Sequence, residues 1–179
     1  MKQKQIKKLL PWVYQRTALP GNPLTALLEV MEGLHAPVEA TLGQLDSIFD
    51  PRRTLDSFVP YLAGWVDLGG LLDVSRGGGI STSMTFPTGL GRLRELTASA
   101  AMLSEWRGTK RGLELFLRIA TGSEGFTIHE DARGVDGKSR PFHIHVIAPK
   151  ELITHETLLE RIIELEKPAY VTYELTFQS

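Results

Sequence analysis

Thr109-Lys110-Arg111-Gly112-Leu113-Glu114-Leu115-Phe116-Leu117-Arg118-Ile119-Ala120-Thr121-Gly122 is followed, after Ser123-Glu124-Gly125, by Phe126-Thr127-Ile128-His129. Across that join the apolar rhythm changes. Leu113, Phe116, Leu117 and Ala120 recur at i, i+3, i+4 and i+7, which lays one stripe along a helix. Thr109 is placed to cap its start and Gly122 to end it in the left-handed conformation. From Phe126 the period is two. Phe142, Ile144 and Val146 alternate in the same way with His143 and His145, after a segment that carries the turn pair Asp136-Gly137. Thr154 opens a helix with Leu158, Leu159, Ile162, Ile163 and Leu165 turned inward, and Pro168 closes it. Val171, Tyr173, Leu175 and Phe177 then alternate as a last strand. The order β-β-α-β behind a helix, with a right-handed crossover, predicts a small sheet covered on one face by two helices. Leu113, Phe116, Leu117, Ile162, Tyr173 and Leu175 are its expected core.

Upstream, residues 1–68 read as short helices interrupted by Pro11, Pro20, Pro23, Pro37, Pro51 and Pro60. One stripe runs from Leu24 through Leu27, Leu28 and Met31 to Leu34, and a second from Val38 through Leu42 and Leu45 to Phe49. Asp56 is a plausible N-cap for a further short helix through Val66. Residues 69–91, rich in Gly, Ser and Thr, read as a loop. Residues 92–122 form helix, corner and helix, and residues 123–179 the small β-β-α-β domain. The fold class expected is therefore α+β, with an N-terminal helical region ahead of a small sheet.

Composition narrows the function. The chain has 179 residues with 20 Lys+Arg against 21 Asp+Glu, a net charge of −1, which argues against bulk nucleic-acid binding. The absence of cysteine excludes thiol catalysis, Cys-type zinc modules and a disulfide framework. No apolar run approaches the ~20 residues that cross a bilayer. The opening Met1 to Pro11 is basic and lacks the apolar region of a secretory signal.

Few motifs carry chemistry. Arg76-Gly77-Gly78-Gly79-Ile80-Ser81 and Gly108-Thr109-Lys110 both miss the phosphate-loop spacing. Glu95 with Glu105, or Glu130 with Asp131, look like surface acids, and Asp131 to Asp136 is too sparse for a calcium loop. Lys2, Lys4, Lys7 and Lys8 read as a solvated helix face. His129, His143 and His145 share one sheet face, so a small metal-dependent enzyme is the alternative to a protein without catalysis. The sharpest feature is Trp106, Arg107, Gly108, Thr109, Lys110, Arg111 and Gly112, joined by Arg118 one heptad beyond Arg111. Gly108 allows the chain to turn and Gly112 lets another backbone come close. Such a corner serves as an internal pin through Arg107, as a docking site, or as both. A regulatory module binding an acidic partner through Arg111 and Arg118 is a third reading.

The same corner carries a family likeness. Leu9-Leu10-Pro11-Trp12-Val13-Tyr14, then Phe49-Asp50-Pro51-Arg52-Arg53-Thr54, Phe58-Val59-Pro60-Tyr61-Leu62-Ala63-Gly64-Trp65, the Trp106 to Leu113 block with Thr121-Gly122, and Lys167-Pro168-Ala169-Tyr170 with Tyr173 and Leu175 come in the family's order. In them the chain resembles the phage tail protein I family, the small baseplate wedge subunit of contractile phage tails, R-type pyocins and extracellular contractile injection systems. The stretch 73–90 departs from the family pattern. The resemblance implies a structural protein, not an enzyme, without cofactor, metal or small-molecule substrate. Its implied partners are two copies of a larger wedge subunit, the hub or spike, and the sheath. It implies assembly in the bacterial cytoplasm into the baseplate of a virion or injection particle, with no membrane insertion and no direct nucleic-acid binding.

Overall fold

A computed structural model describes residues 3–76, 82–130 and 140–178. The chain falls into two compact units, Met1–Ile48 and Phe49–Ser179, a division that comes earlier than residue 68. Within the described residues the class is α+β.

The first unit holds α1 (Gln3–Leu9), α2 (Trp12–Thr17), α3 (Pro23–Leu42) and α4 (Leu45–Ile48). Asn22 caps α3 by accepting from the Leu24 N–H at 2.9 Å, and Pro23 occupies the first turn, where its missing N–H costs nothing. Pro37 lies inside α3, so the first predicted stripe and the start of the second, Val38 and Leu42, share one continuous helix, while Leu45 falls on α4 and Phe49 beyond it. An interior proline removes one ladder bond and crowds the carbonyl four residues back, here that of Gly33; helical turns on both sides carry the chain past it.

The second unit begins with a clamp. Asp50 accepts from the Arg52 N–H at 2.9 Å and from Arg53 Nε at 2.7 Å, contacts that hold its carboxyl below the usual range. A 3₁₀ turn (Asp56–Phe58) leads into α5 (Val59–Trp65), whose Val59, Leu62 and Ala63 are buried. Asp56 does not cap that helix, since its carboxylate is bound by Arg94. Arg94 also donates to the carbonyls of Pro51 at 2.5 Å and Thr54 at 2.9 Å, tying this segment to α6 (Leu90–Glu105). Arg52 reinforces the tie with a two-toothed bond to Glu95, at 3.2 and 3.0 Å.

The region read as a loop over 69–91 contains a hairpin. β1 (Asp73–Arg76) pairs antiparallel with β2 (Thr82–Thr85), and Leu72 and Phe86, which flank it, are both buried. The glycine run at 77–79 lies outside the described residues.

α6 and α7 (Lys110–Thr121) stack as the sequence predicts, with Leu93, Leu96, Ala100 and Leu103 facing a core that holds Leu113, Phe116, Leu117 and Ala120. The three-stranded sheet has β4 (His143–Ala148) in the middle. β3 (Thr127–His129) pairs antiparallel with it, Ile128 opposite Val146. After a 3₁₀ turn (Lys150–His155) and α8 (Glu156–Glu166), β5 (Thr172–Phe177) returns parallel, Ile144 opposite Tyr173. α7 and α8 cover one face, where Ile128, Val146, Leu159, Ile162 and Ile163 are buried, and Tyr173 and Leu175 pack against them half-buried. Helix α8 therefore starts after Thr154, not at it. Phe142 departs from the expected alternation. Its backbone has φ +59, its ring is 64% exposed, and it meets Tyr170 edge-on with centroids 5.2 Å apart. The turn pair Asp136-Gly137 lies outside the described residues.

The α6–α7 stack depends on the absence of a side chain at residue 112. A Cβ there would stand 2.1 Å from the Trp106 carbonyl oxygen and 2.8 Å from its carbon. Gly112→Ala is expected to cost about 3 kcal/mol by forcing backbone apart, read as a lowered urea midpoint with unchanged slope. A midpoint within experimental scatter of the parent would refute the contact.

Candidate docking surface

Three of the corner residues build the corner itself. Thr109 accepts from the Gly112 N–H at 3.0 Å and donates its own hydroxyl proton to the Trp106 carbonyl at 2.7 Å. Gly108 turns the chain at φ +76, and its Cα faces Pro168, whose Cγ would lie 3.7 Å from an added Cβ. Gly112 takes the close approach already described.

Arg107 is the predicted internal pin. It donates to the Leu165 carbonyl at 2.9 Å, one of the free acceptors in the last turn of α8, and faces Asp67 at 3.6 Å and Glu166 at 3.9 Å. Glu166 was not anticipated. It continues the buried row of Leu159, Ile162 and Ile163 at the next helical position, which is the signal that marks it. Only 7% exposed, it has its carboxyl pushed above the usual range by burial, with Arg107 opposing and Asp67 adding to the rise. Because Gly108 and Arg107 hold the fold together, substitutions there act on folding as well as on any docking.

Trp106, Lys110, Arg111 and Arg118 remain outside. The Arg111 guanidinium lies 4.6 Å over the Trp106 ring, and Arg111 and Arg118 flank Met102 and Leu115 along a shallow groove. A second outward patch sits on α5. Phe49, Phe58, Tyr61 and Trp65 form a chain of rings with centroids 5.8–6.4 Å apart. Trp65 is 67% exposed within it, an aromatic cluster of the kind that anchors interfaces.

The third surface is α3 of the first unit. Leu24, Leu27, Met31, Leu34 and Val38 alternate at three and four residues, the seam of a helix that packs on other helices. Leu28, Val30 and Leu42 flank that seam, widening it toward the pattern of a multi-helix bundle. Leu28 alone among the residues of α3 is buried; Leu27, Val30, Met31, Leu34, Val38 and Leu42 all face outward, Leu34 at 72%.

The three histidines lie on the uncovered face of the sheet. His143 Nδ1 meets the Thr172 hydroxyl at 2.8 Å, His145 Nε2 meets the Thr176 hydroxyl at 2.7 Å, and the rings of His129 and His145 are 6.3 Å apart. Among the described residues, no three His, Asp or Glu side chains converge on a metal position. Among them, too, no helix is long and apolar enough to cross a membrane. No family model matches this chain, and no curated protein matches its sequence.

Glu166 gives the corner a pH signature. Its folded pKa is raised, so between the ordinary 4.5 and that higher value the native state holds a proton that the unfolded chain has lost. Stability attributable to this group therefore falls as pH rises through that window. Glu166→Gln removes the slope, so its stability relative to the parent is expected to improve as pH rises through that window and to level off above it. Urea unfolding across that range checks it; a pH-independent difference contradicts the assignment.

Proposed function

We propose that this chain is a structural assembly subunit: the small wedge component of the baseplate of a contractile tail or injection machine. In this reading it joins two copies of a larger wedge subunit around the hub and links them toward the sheath, within a particle assembled in the bacterial cytoplasm. The order of its sequence blocks supports the family, and the exposed α3 seam carries the role. A helix of 20 residues spans about 30 Å, and this one turns most of its apolar side chains to solvent. Its apolar residues fit the interior of a bundle that other chains complete. The charged residues Glu29, Glu32 and Glu39 fall on the opposite side of that seam. The aromatic cluster at Phe49, Phe58, Tyr61 and Trp65 gives a second anchor, which a subunit held by several neighbours requires.

In isolation the chain is expected to bind an apolar dye and to self-associate, because such a seam exposes several hundred Å² of apolar surface. Leu27→Glu with Leu34→Glu changes only exposed positions. That pair should reduce dye binding and prevent co-purification with a co-expressed larger wedge subunit, while leaving the melting of the second unit unchanged. Undiminished co-purification of the double variant would overturn the role of α3, and a parent chain that fails to co-purify at all would overturn the proposed function.

A further inference from the structure

The sheet of the second unit ends in an unprotected edge. β5 pairs with β4 alone among the described residues, in unbroken register over six residue pairs. Thr172 N donates to the Phe142 carbonyl and Gln178 N to the Ala148 carbonyl, each at 2.9 Å. Even-numbered residues thus bond toward β4, and the N–H and C=O groups of Tyr173, Leu175 and Phe177 point the other way. Natural edges are ordinarily blunted by proline, lysine or a bulge. Thr172-Tyr173-Glu174-Leu175-Thr176-Phe177 has none of these and is rich in β-formers.

Beside this edge, on the helix-covered side, lies a groove of ≈ 520 Å³ whose floor includes Leu71, Leu165 and Tyr173. Its rim is acidic. Glu160 and Glu164 line it, while its single arginine, Arg161, is already paired with Asp73 at 2.8 Å. Burial first, and then the Glu160 and Glu164 carboxylates, hold the Tyr173 phenol above its ordinary range, so the field of both acids reaches β5. Lys167 offsets part of it through Glu164 at 3.1 Å. On the other face of the same edge, Glu174 is exposed as well.

We propose that the β5 edge takes up an extended segment of a partner protein as a fourth strand, and that this segment alternates apolar residues with lysine or arginine. Main-chain bonds to Tyr173, Leu175 and Phe177 give the attachment. Apolar side chains cover the floor of the groove, the basic ones on the opposite face meet Glu174, and the rim acids Glu160 and Glu164 repel an acidic segment from the groove side, which fixes the choice of partner. This surface is separate from the α3 seam and does not depend on the baseplate reading.

The test uses the full chain and two blocked peptides, Lys-Val-Lys-Val-Lys-Val-Lys and its Glu-Val counterpart. Amide exchange followed by NMR should show slowed exchange at Tyr173, Leu175 and Phe177 when the lysine peptide binds, with the even-numbered amides of β5 unchanged. The glutamate peptide should bind at least about tenfold more weakly. Glu174→Lys, at an exposed position, should weaken the lysine peptide by a similar factor and leave the amide pattern of the core intact. The proposal falls if the lysine peptide does not bind at millimolar concentration, binds without protecting those three amides, or is matched by the glutamate peptide. Protection of the same amides by raising the protein concentration alone would also overturn it, in favour of a second copy at this edge.

Discussion

The second unit depends on how closely α7 can approach the end of α6. The Trp106 carbonyl occupies the place where a side chain at residue 112 would be, so the two helices meet backbone to backbone across the corner. With Thr109 capping α7 and Gly108 reversing the chain, the stripes of the two helices are set face to face before any long-range contact is made. Leu96, Phe116 and Leu117 then fill the space between them. The opposite side of the same stack receives Ile162, Ile163 and Val146, so helix pair and sheet share one core. A looser corner would separate those layers by the width of at least a methyl group, in an interior where gaps of that size are felt.

Elements whose periodicity was set by burial on one face could be read directly. α7, the inward row of α8 and the alternation through Ile128 and through Ile144 and Val146 all show in the spacing of apolar residues, because each has one wet and one dry side. The misreadings come from residues whose partners are distant in sequence or whose backbone does the deciding. Asp56 has the chemistry of a cap, but Arg94, on another helix, binds it. Phe142 sits in the strand rhythm, yet a positive φ turns its ring out toward Tyr170 while its carbonyl still accepts the Thr172 N–H. The hairpin over 73–85 is held by Leu72 and Phe86 at its feet, with too few apolar residues between them to show a period. Pro37 lies inside α3 although an interior proline costs about 3 kcal/mol, a cost that the spacing of apolar residues does not register.

The corner shows how a site of charged and aromatic residues divides between internal and external work. Arg107 looks like a docking residue by composition, but three groups within its own unit surround it. Glu166 explains why. A carboxylate placed on a buried row needs a cation at hand, and a guanidinium that also closes the C-terminal turn of α8 meets both demands. What is left for a neighbour is the outer layer, Trp106 with Arg111 stacked on it and Arg118 two turns on. These residues are close in sequence; only the packing separates those that hold the corner from those that face out.

The two units differ in where their order comes from. The second encloses a continuous core running from Val59 to Ile163, with hydrogen bonds that tie its loops to its helices. Among its described residues the first has one buried apolar side chain, Leu28, to set against the entropy of fixing four helices. Most of a helix's stability in a protein comes from packing its apolar face rather than from propensity, and this one also carries an interior proline. The surface that α3 leaves uncovered is therefore the same surface that must supply its stability. Once other helices cover Leu27, Met31, Leu34 and Val38, burial of those side chains at roughly 1.5–3 kcal/mol each is enough to offset the proline and hold the helix. Under the proposed function, the second unit stands on its own core and the first is the part that neighbours would complete.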